Sequence, residues 1–155
     1  ATVNHKVDDG AATNSCTAPV SIVDTIAPIV TCGTAISTLD PTNHELINVG
    51  LSTSSSDICA GSPPVTLSVF SDEDDASLGS GNTSPDAADI AAGTLRLRAE
   101  RDGTGDGRVY LIVAKTDDGS GNTAHDCCTV TVPRGTSSAS VALGNAQAGA
   151  VRLVP

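Results

Sequence analysis

With 155 residues, one Phe, one Tyr and neither Trp nor Met, the chain must build its core from Val, Ile, Leu and Ala. Such side chains fill a thin β-sandwich well and a helical bundle poorly. Eighteen acids against eight bases give a formal charge of −10, which argues against nucleic acid and anionic membranes, both of which need clustered Lys and Arg.

Residues 1–20 are small, polar and turn-prone, and read as an N-terminal arm without a strand of convincing length. The chain opens at Ala1 without Met or an apolar leader, as a processed chain does. No apolar run approaches the roughly 20 residues of a membrane-spanning helix, so no membrane insertion is expected. From Val23 to Cys32 an acid, a proline and a short apolar run mark the entry to a domain over residues 21–134. Leu46, Ile47, Val49 and Leu51 make a further strand, and Ser52 to Pro64 reads as a loop. Val65, Leu67 and Val69 alternate with polar residues, the period-two pattern of a half-buried strand. Residues 76–92 read as a long loop.

The pattern is clearest over residues 93–133, read as three strands joined by two Gly-rich loops. Leu95, Leu97 and Ala99 alternate with Arg96, Arg98 and Glu100. Arg108 to Ala114 is apolar on both faces and rich in β-branched residues, which suits a central strand covered on both sides. Cys128 to Val132 is the last strand and stops at Pro133, which cannot donate to a ladder. Residues 135–155 form a C-terminal arm in which Val141 and Leu143, then Val151 and Leu153, alternate with other residues, so each segment could add as a strand to an open sheet edge. The expected fold is therefore all-β, a single antiparallel β-sandwich with an arm on either side.

The five cysteines, Cys16, Cys32, Cys59, Cys127 and Cys128, include no C-x-x-C pair, and fit disulfides in a secreted or cell-surface protein better than a metal-thiolate site. Cys127 and Cys128 should face opposite sides of their strand. Pairing four thiols allows three connectivities for each choice of the odd one. We favour Cys32 with Cys59, which flank early strands, while Cys16 with Cys127 or Cys128 would tie the arm to the last strand.

Charge is concentrated between Asp72 and Asp126, where twelve acids face five bases, −7 of the −10. Asp72, Glu73, Asp86, Glu100 and Asp117, at strand ends and turns, could supply carboxylates to a composite Ca²⁺ site, since calcium takes six to eight hard oxygens. The plainer reading is that these are solvated loop acids and that Glu100 pairs with Arg98 and Arg96 on its own strand face. The arginines Arg96, Arg98, Arg101 and Arg108 interleave with Glu100, Asp102 and Asp106, which favours exposed intramolecular pairs over an anion site. No nucleophile elbow or H-E-x-x-H motif is present, and His125, Asp126 and a serine make only a coincidental triad, so no catalytic residue is assigned.

The stretches Val23 to Cys32, Ser56 to Cys59 and Thr116 to Ala124 resemble hyalin-repeat and related immunoglobulin-like modules of secreted bacterial proteins. The motifs Phe70-Ser71-Asp72-Glu73-Asp74-Asp75, Ser84-Pro85-Asp86-Ala87, Leu95 to Arg101 and Gly105 to Tyr110 resemble one bacterial variety closely, and the similarity covers about residues 23–134. The resemblance implies an immunoglobulin-like sandwich, generally non-catalytic, used as a spacer, adhesive or assembly module. Tyr110 would then serve as a structural tyrosine corner, its hydroxyl bonded back to backbone. Two function classes follow. One is a self-associating surface-fibre or matrix subunit joined through its terminal arms. The other is a ligand- or carbohydrate-binding appendage of a secreted hydrolase, weakened because sugar sites favour aromatic platforms and only Phe70 and Tyr110 are present.

Overall fold

The structure is a computed structural model that describes residues 1–40, 42–74 and 83–135; the C-terminal arm from residue 136 onward lies outside them. Ten strands follow one another with no helix among the described residues: β1 (Thr2–Asp8), β2 (Thr13–Pro19), β3 (Ile29–Gly33), β4 (Leu46–Asn48), β5 (Ser52–Ser56), β6 (Val65–Ser71), β7 (Ala87–Ala88), β8 (Arg96–Arg98), β9 (Gly107–Asp117) and β10 (Thr123–Pro133). The fold is all-β, and every strand pairing between them is antiparallel.

The apolar run Arg108 to Ala114 becomes the middle of β9, which is central in the order β10-β9-β6. β9 and β10 are long because their hairpin zips from Pro133 opposite Gly107 to Thr123 opposite Asp117. β10 thus starts five residues earlier than the sequence pattern suggests, since polar residues 123–127 alternate in exposure along the same ladder. β8 does not sit beside β9 as its neighbour in sequence. It pairs instead with β4 and β7 in a second three-stranded sheet.

Between these sheets lies the core. Tyr110, Ile112, Val130 and Val132 pack against Leu39, Val49, Leu51, Leu95, Leu97 and Ala99, with Leu67, Val69 and Cys128 at the margin. With Tyr110 the one aromatic ring in this core, aliphatic side chains carry most of the burial. Gly107 stands where β9 leaves the preceding turn, at φ 120°, and a Cβ there would come within 2.8 Å of the Val132 carbonyl oxygen. The hairpin can therefore close only on glycine.

Four expectations are corrected. Residues 1–20 are not a strandless arm, because Asp8 and Asp9 accept the amides of Gly10, Ala11 and Ala12 and turn the chain into the β1–β2 hairpin. Ser52–Ser56 is strand rather than loop, pairing with β3 and linked across by Thr31 Oγ1 and Ser54 Oγ at 2.7 Å. The strand beginning at Leu46 ends at Asn48, where Gly50 at φ 62° turns the chain and leaves Val49 and Leu51 to pack individually. Ala87–Ala88, expected within a long loop, is a short strand against β8.

The favoured Cys32–Cys59 pair is also overturned. β3 lies against β10, so Cys32 bonds to Cys128, with Cα atoms 5.6 Å apart, and Cys59 is held in an exposed turn elsewhere. Cys127, on the opposite face of β10 as expected, is exposed with a free thiol, as are Cys16 and Cys59. Cys16 therefore ties no arm to the last strand.

Candidate functional site

Three features stand apart from ordinary packing. The first is a buried polar network at the end of β9. Arg108 is fully buried, its Nε donating to Glu73 Oε2 at 3.0 Å and its Nη1 to Asp86 Oδ2 at 2.5 Å and the Tyr110 hydroxyl at 3.1 Å. The guanidinium also lies 5.8 Å from the Tyr110 ring centre. Burial works against its charge, but Tyr110, Asp86 and Glu73 more than compensate and raise its pKa. Tyr110 in turn donates to the Arg98 carbonyl at 3.0 Å, a link back to backbone twelve residues upstream. Burial pushes its phenol up to about 12, so it serves as a neutral donor and a strut.

The same contacts place the five acids singled out for calcium. Asp72 Oδ1 accepts Val109 N at 2.8 Å, and Glu73 accepts Asp102 N as well as Arg108. Asp86 faces Arg108. Glu100, 1% exposed, accepts from Thr83 N and pairs with His44 Nδ1 at 2.7 Å. Asp117 accepts Gly119 N at the far end of β9, about 30 Å along the strand from Arg108 at 3.3 Å per residue. Glu73 and Asp86 are thus brought together on a guanidinium, while Asp117 is not near them. A calcium ion between the first two would have to displace Arg108.

The arginines also depart from the expected exposed pairs. Arg98 is 8% exposed and donates to the Pro85 and His44 carbonyls. Arg101 donates to the Pro133, Asp102 and Arg134 carbonyls. Arg96 alone keeps a surface partner, Asp89. Glu100 consequently pairs with His44 rather than with Arg98 or Arg96. Burial raises the Glu100 pKa, but the His44 and Thr83 hydrogen bonds outweigh it and leave a net lowering. A carboxyl lowered on folding contributes stability above its unfolded pKa and loses it as pH falls through the folded value. Glu100→Gln is therefore expected to destabilise the protein near neutral pH, by about 1–3 kcal/mol, and to flatten the loss of stability between about pH 5 and 3. Denaturant titrations at several pH values check this; parallel curves for both proteins would contradict it.

The second feature was not found from the sequence. Asp24, in the linker between β2 and β3, Asp57, after β5, and Cys59 bring a carboxylate oxygen each and a thiol to within 4.8 Å of one another. Asp24 Oδ1 accepts Ile26 N, and Asp57 Oδ1 accepts Cys59 N and Ala60 N. The other oxygens, Asp24 Oδ2 and Asp57 Oδ2, are shielded from solvent although both residues are only half-buried, and Asp24 is hydrogen-bonded to the Cys59 thiol. Partial desolvation, then the Asp24 charge, push the Cys59 thiol above its ordinary value. Nothing in the spacing of the two acids announces a meeting across more than thirty residues.

The third feature is the N-terminal hairpin. Every residue of β1 and β2 is exposed, and the hydrogen bonds of residues 1–20 are made within the hairpin. Its register puts Val3 opposite Ala18, His5 opposite Cys16 and Val7 opposite Asn14. One face is therefore largely apolar, with the free thiol of Cys16 at its middle. No family model, curated protein or solved structure matches the chain. The chain also exposes Ile26, Ile29 and Ile58, which line an open groove of about 310 Å³ beside Asp57. Phe70, the one exposed aromatic ring, is 54% accessible on β6.

Proposed function

We propose that the protein is a non-catalytic extracellular structural module, an immunoglobulin-like sandwich that joins its neighbours through the N-terminal hairpin into a surface fibre or matrix. The observation that carries this reading is the hairpin itself. A two-stranded hairpin is marginal in water without a surface to pack on, yet this one exposes all fourteen strand residues, among them Val3 and Val7. Its occupant is a second copy of the chain. The groove lined by Ile26, Ile29 and Ile58 is apolar enough to cover the Val3/Val7 face, and the acids beside it, Asp24 and Asp57, offer acceptors to His5, which β1 carries on that same face. Because hairpin and groove are different patches, the contact is heterologous and repeats into an open chain. The Cys32–Cys128 disulfide fits the oxidising setting of a secreted protein, and no helix among the described residues is long and apolar enough to cross a membrane.

A carbohydrate-binding appendage fits less well, since Tyr110 is buried and Phe70 alone offers a ring to a sugar. Val3→Asp with Val7→Asp is expected to abolish association while leaving the melting temperature of the sandwich unchanged. Sedimentation velocity checks it: unchanged association in the double variant would refute docking through this face.

A further inference from the structure

We propose that the segment Ala150-Val151-Arg152-Leu153-Val154 adds to β6 of its own chain as an antiparallel strand and caps the open edge of the β10-β9-β6 sheet. The contact lies within one chain and does not depend on the hairpin docking. Asp72 N donates to the Val109 carbonyl just past the β6–β9 ladder. Hydrogen-bonded and non-bonded pairs alternate in an antiparallel ladder, so Thr66, Ser68 and Phe70 bond to β9. Val65, Leu67, Val69 and Ser71 then turn their backbone N–H and C=O groups outward. Among the described residues none pairs with those outward groups. The other edge of the sheet is covered beside Thr131, where Leu39 N donates to the Thr131 carbonyl at 2.8 Å and Thr131 N to the Ser37 carbonyl at 2.9 Å. β6 also lacks the charges, proline or bulge that commonly blunt an open edge.

The occupant is set by reach, shape and charge. The chain leaves β10 at Pro133, opposite Gly107, at the same end of the sheet as Ser71. The outer side of β6 is three strand spacings away, about 15 Å, and the fourteen residues 136–149 bridge roughly 20 Å as a coil. A segment arriving there enters at Ser71 and runs antiparallel to β6. Val151 opposite Ser71 and Leu153 opposite Val69 meet the outward backbone groups and put both apolar side chains on the core side. An open slot of about 420 Å³, lined by Val69, Ser71, Pro85, Ala87 and Tyr110, receives them. Arg152 then falls on the other face, opposite Phe70, whose ring is 54% accessible and offers a cation–π contact. It is the one charged side chain in residues 135–155, and Asp72, Glu73 and Asp74 follow directly on β6. Val141 and Leu143 have the same alternation without a charge to match those acids. Tethering holds the segment at an effective concentration on the order of millimolar, which favours its own β6 over a neighbour's. The cap closes strand addition between copies at this edge and leaves the hairpin as the joining surface.

Amide hydrogen exchange of the full chain, followed by NMR at two protein concentrations, tests the cap. The Val69 and Ser71 amides are expected to be protected like that of Phe70, and equally so after tenfold dilution. Val151→Asp with Leu153→Asp should speed exchange at Val69 and Ser71 at least ~10-fold while Phe70, bonded to β9, keeps its protection. Arg152→Glu, which retains both apolar side chains, should give a smaller increase at the same two amides. Fast exchange at Val69 and Ser71 in the unaltered chain, protection that disappears on dilution, or protection lost through Val141→Asp with Leu143→Asp instead, would overturn the proposal.

Discussion

Replacing Arg108 by Met is expected to destabilise the protein by about 3–5 kcal/mol, because it leaves the buried carboxylate of Asp86 and the partly buried one of Glu73 without their shared cation. Met fills much of the volume, so the loss reports on charge rather than on a cavity. The expected fall in melting temperature is roughly 10–20 °C for a domain of this size. Lys at this position should not rescue it, since one ammonium cannot hold Glu73, Asp86 and the Tyr110 hydroxyl in the fork geometry of a guanidinium. Arg96→Met provides the contrast: its partner Asp89 is exposed, and such pairs contribute about 0–1 kcal/mol. Urea unfolding of the three variants measures all of this. A midpoint for Arg108→Met as high as that for Arg96→Met would show that the network is dispensable.

Loss of the Cys32–Cys128 disulfide should cost as much. It closes a loop of 96 residues, and constraining an unfolded loop of that length contributes about 4–5 kcal/mol in the chain-entropy account. The double variant Cys32→Ala/Cys128→Ala should unfold at much lower denaturant, whereas Cys16→Ser and Cys59→Ser, at exposed free thiols, should not alter the midpoint. Non-reducing peptide mapping provides the direct check. A Cys32-containing peptide linked to Cys59 instead of Cys128 would contradict the strand arrangement as well as the stability claim.

The sequence is most informative where one physical signal dominates. The run from Arg108 to Ala114 is apolar on both faces, and β9 is accordingly the buried centre of its sheet; Pro133 stops β10 for want of an amide donor. β5 escaped notice because Ser52–Ser56 carries no hydrophobic alternation, its strand state being imposed by pairing with β3. The hairpin β1–β2 was hidden likewise, since neither face is apolar throughout and the turn chemistry of Asp8, Asp9 and Gly10 resembles that of a loop. Arg108 looked like one more surface arginine because a charged side chain is almost never fully buried unless paired. Its partners, Glu73 and Asp86, lie far off in sequence, and only the fold brings them to it. The disulfide and the Asp24/Asp57/Cys59 cluster share that origin: both join residues from strands or turns whose adjacency is a tertiary property.

The central claim is that the hairpin joins one copy of the chain to the next. The mass in solution of the full chain, compared with that of a chain beginning at Ser21, tests it most directly. The full chain should form species heavier than its 15.4 kDa monomer, in proportion to concentration, and the shortened chain should remain monomeric with its other sheets still folded. Two monomers, or equal association with and without the hairpin, would contradict the account.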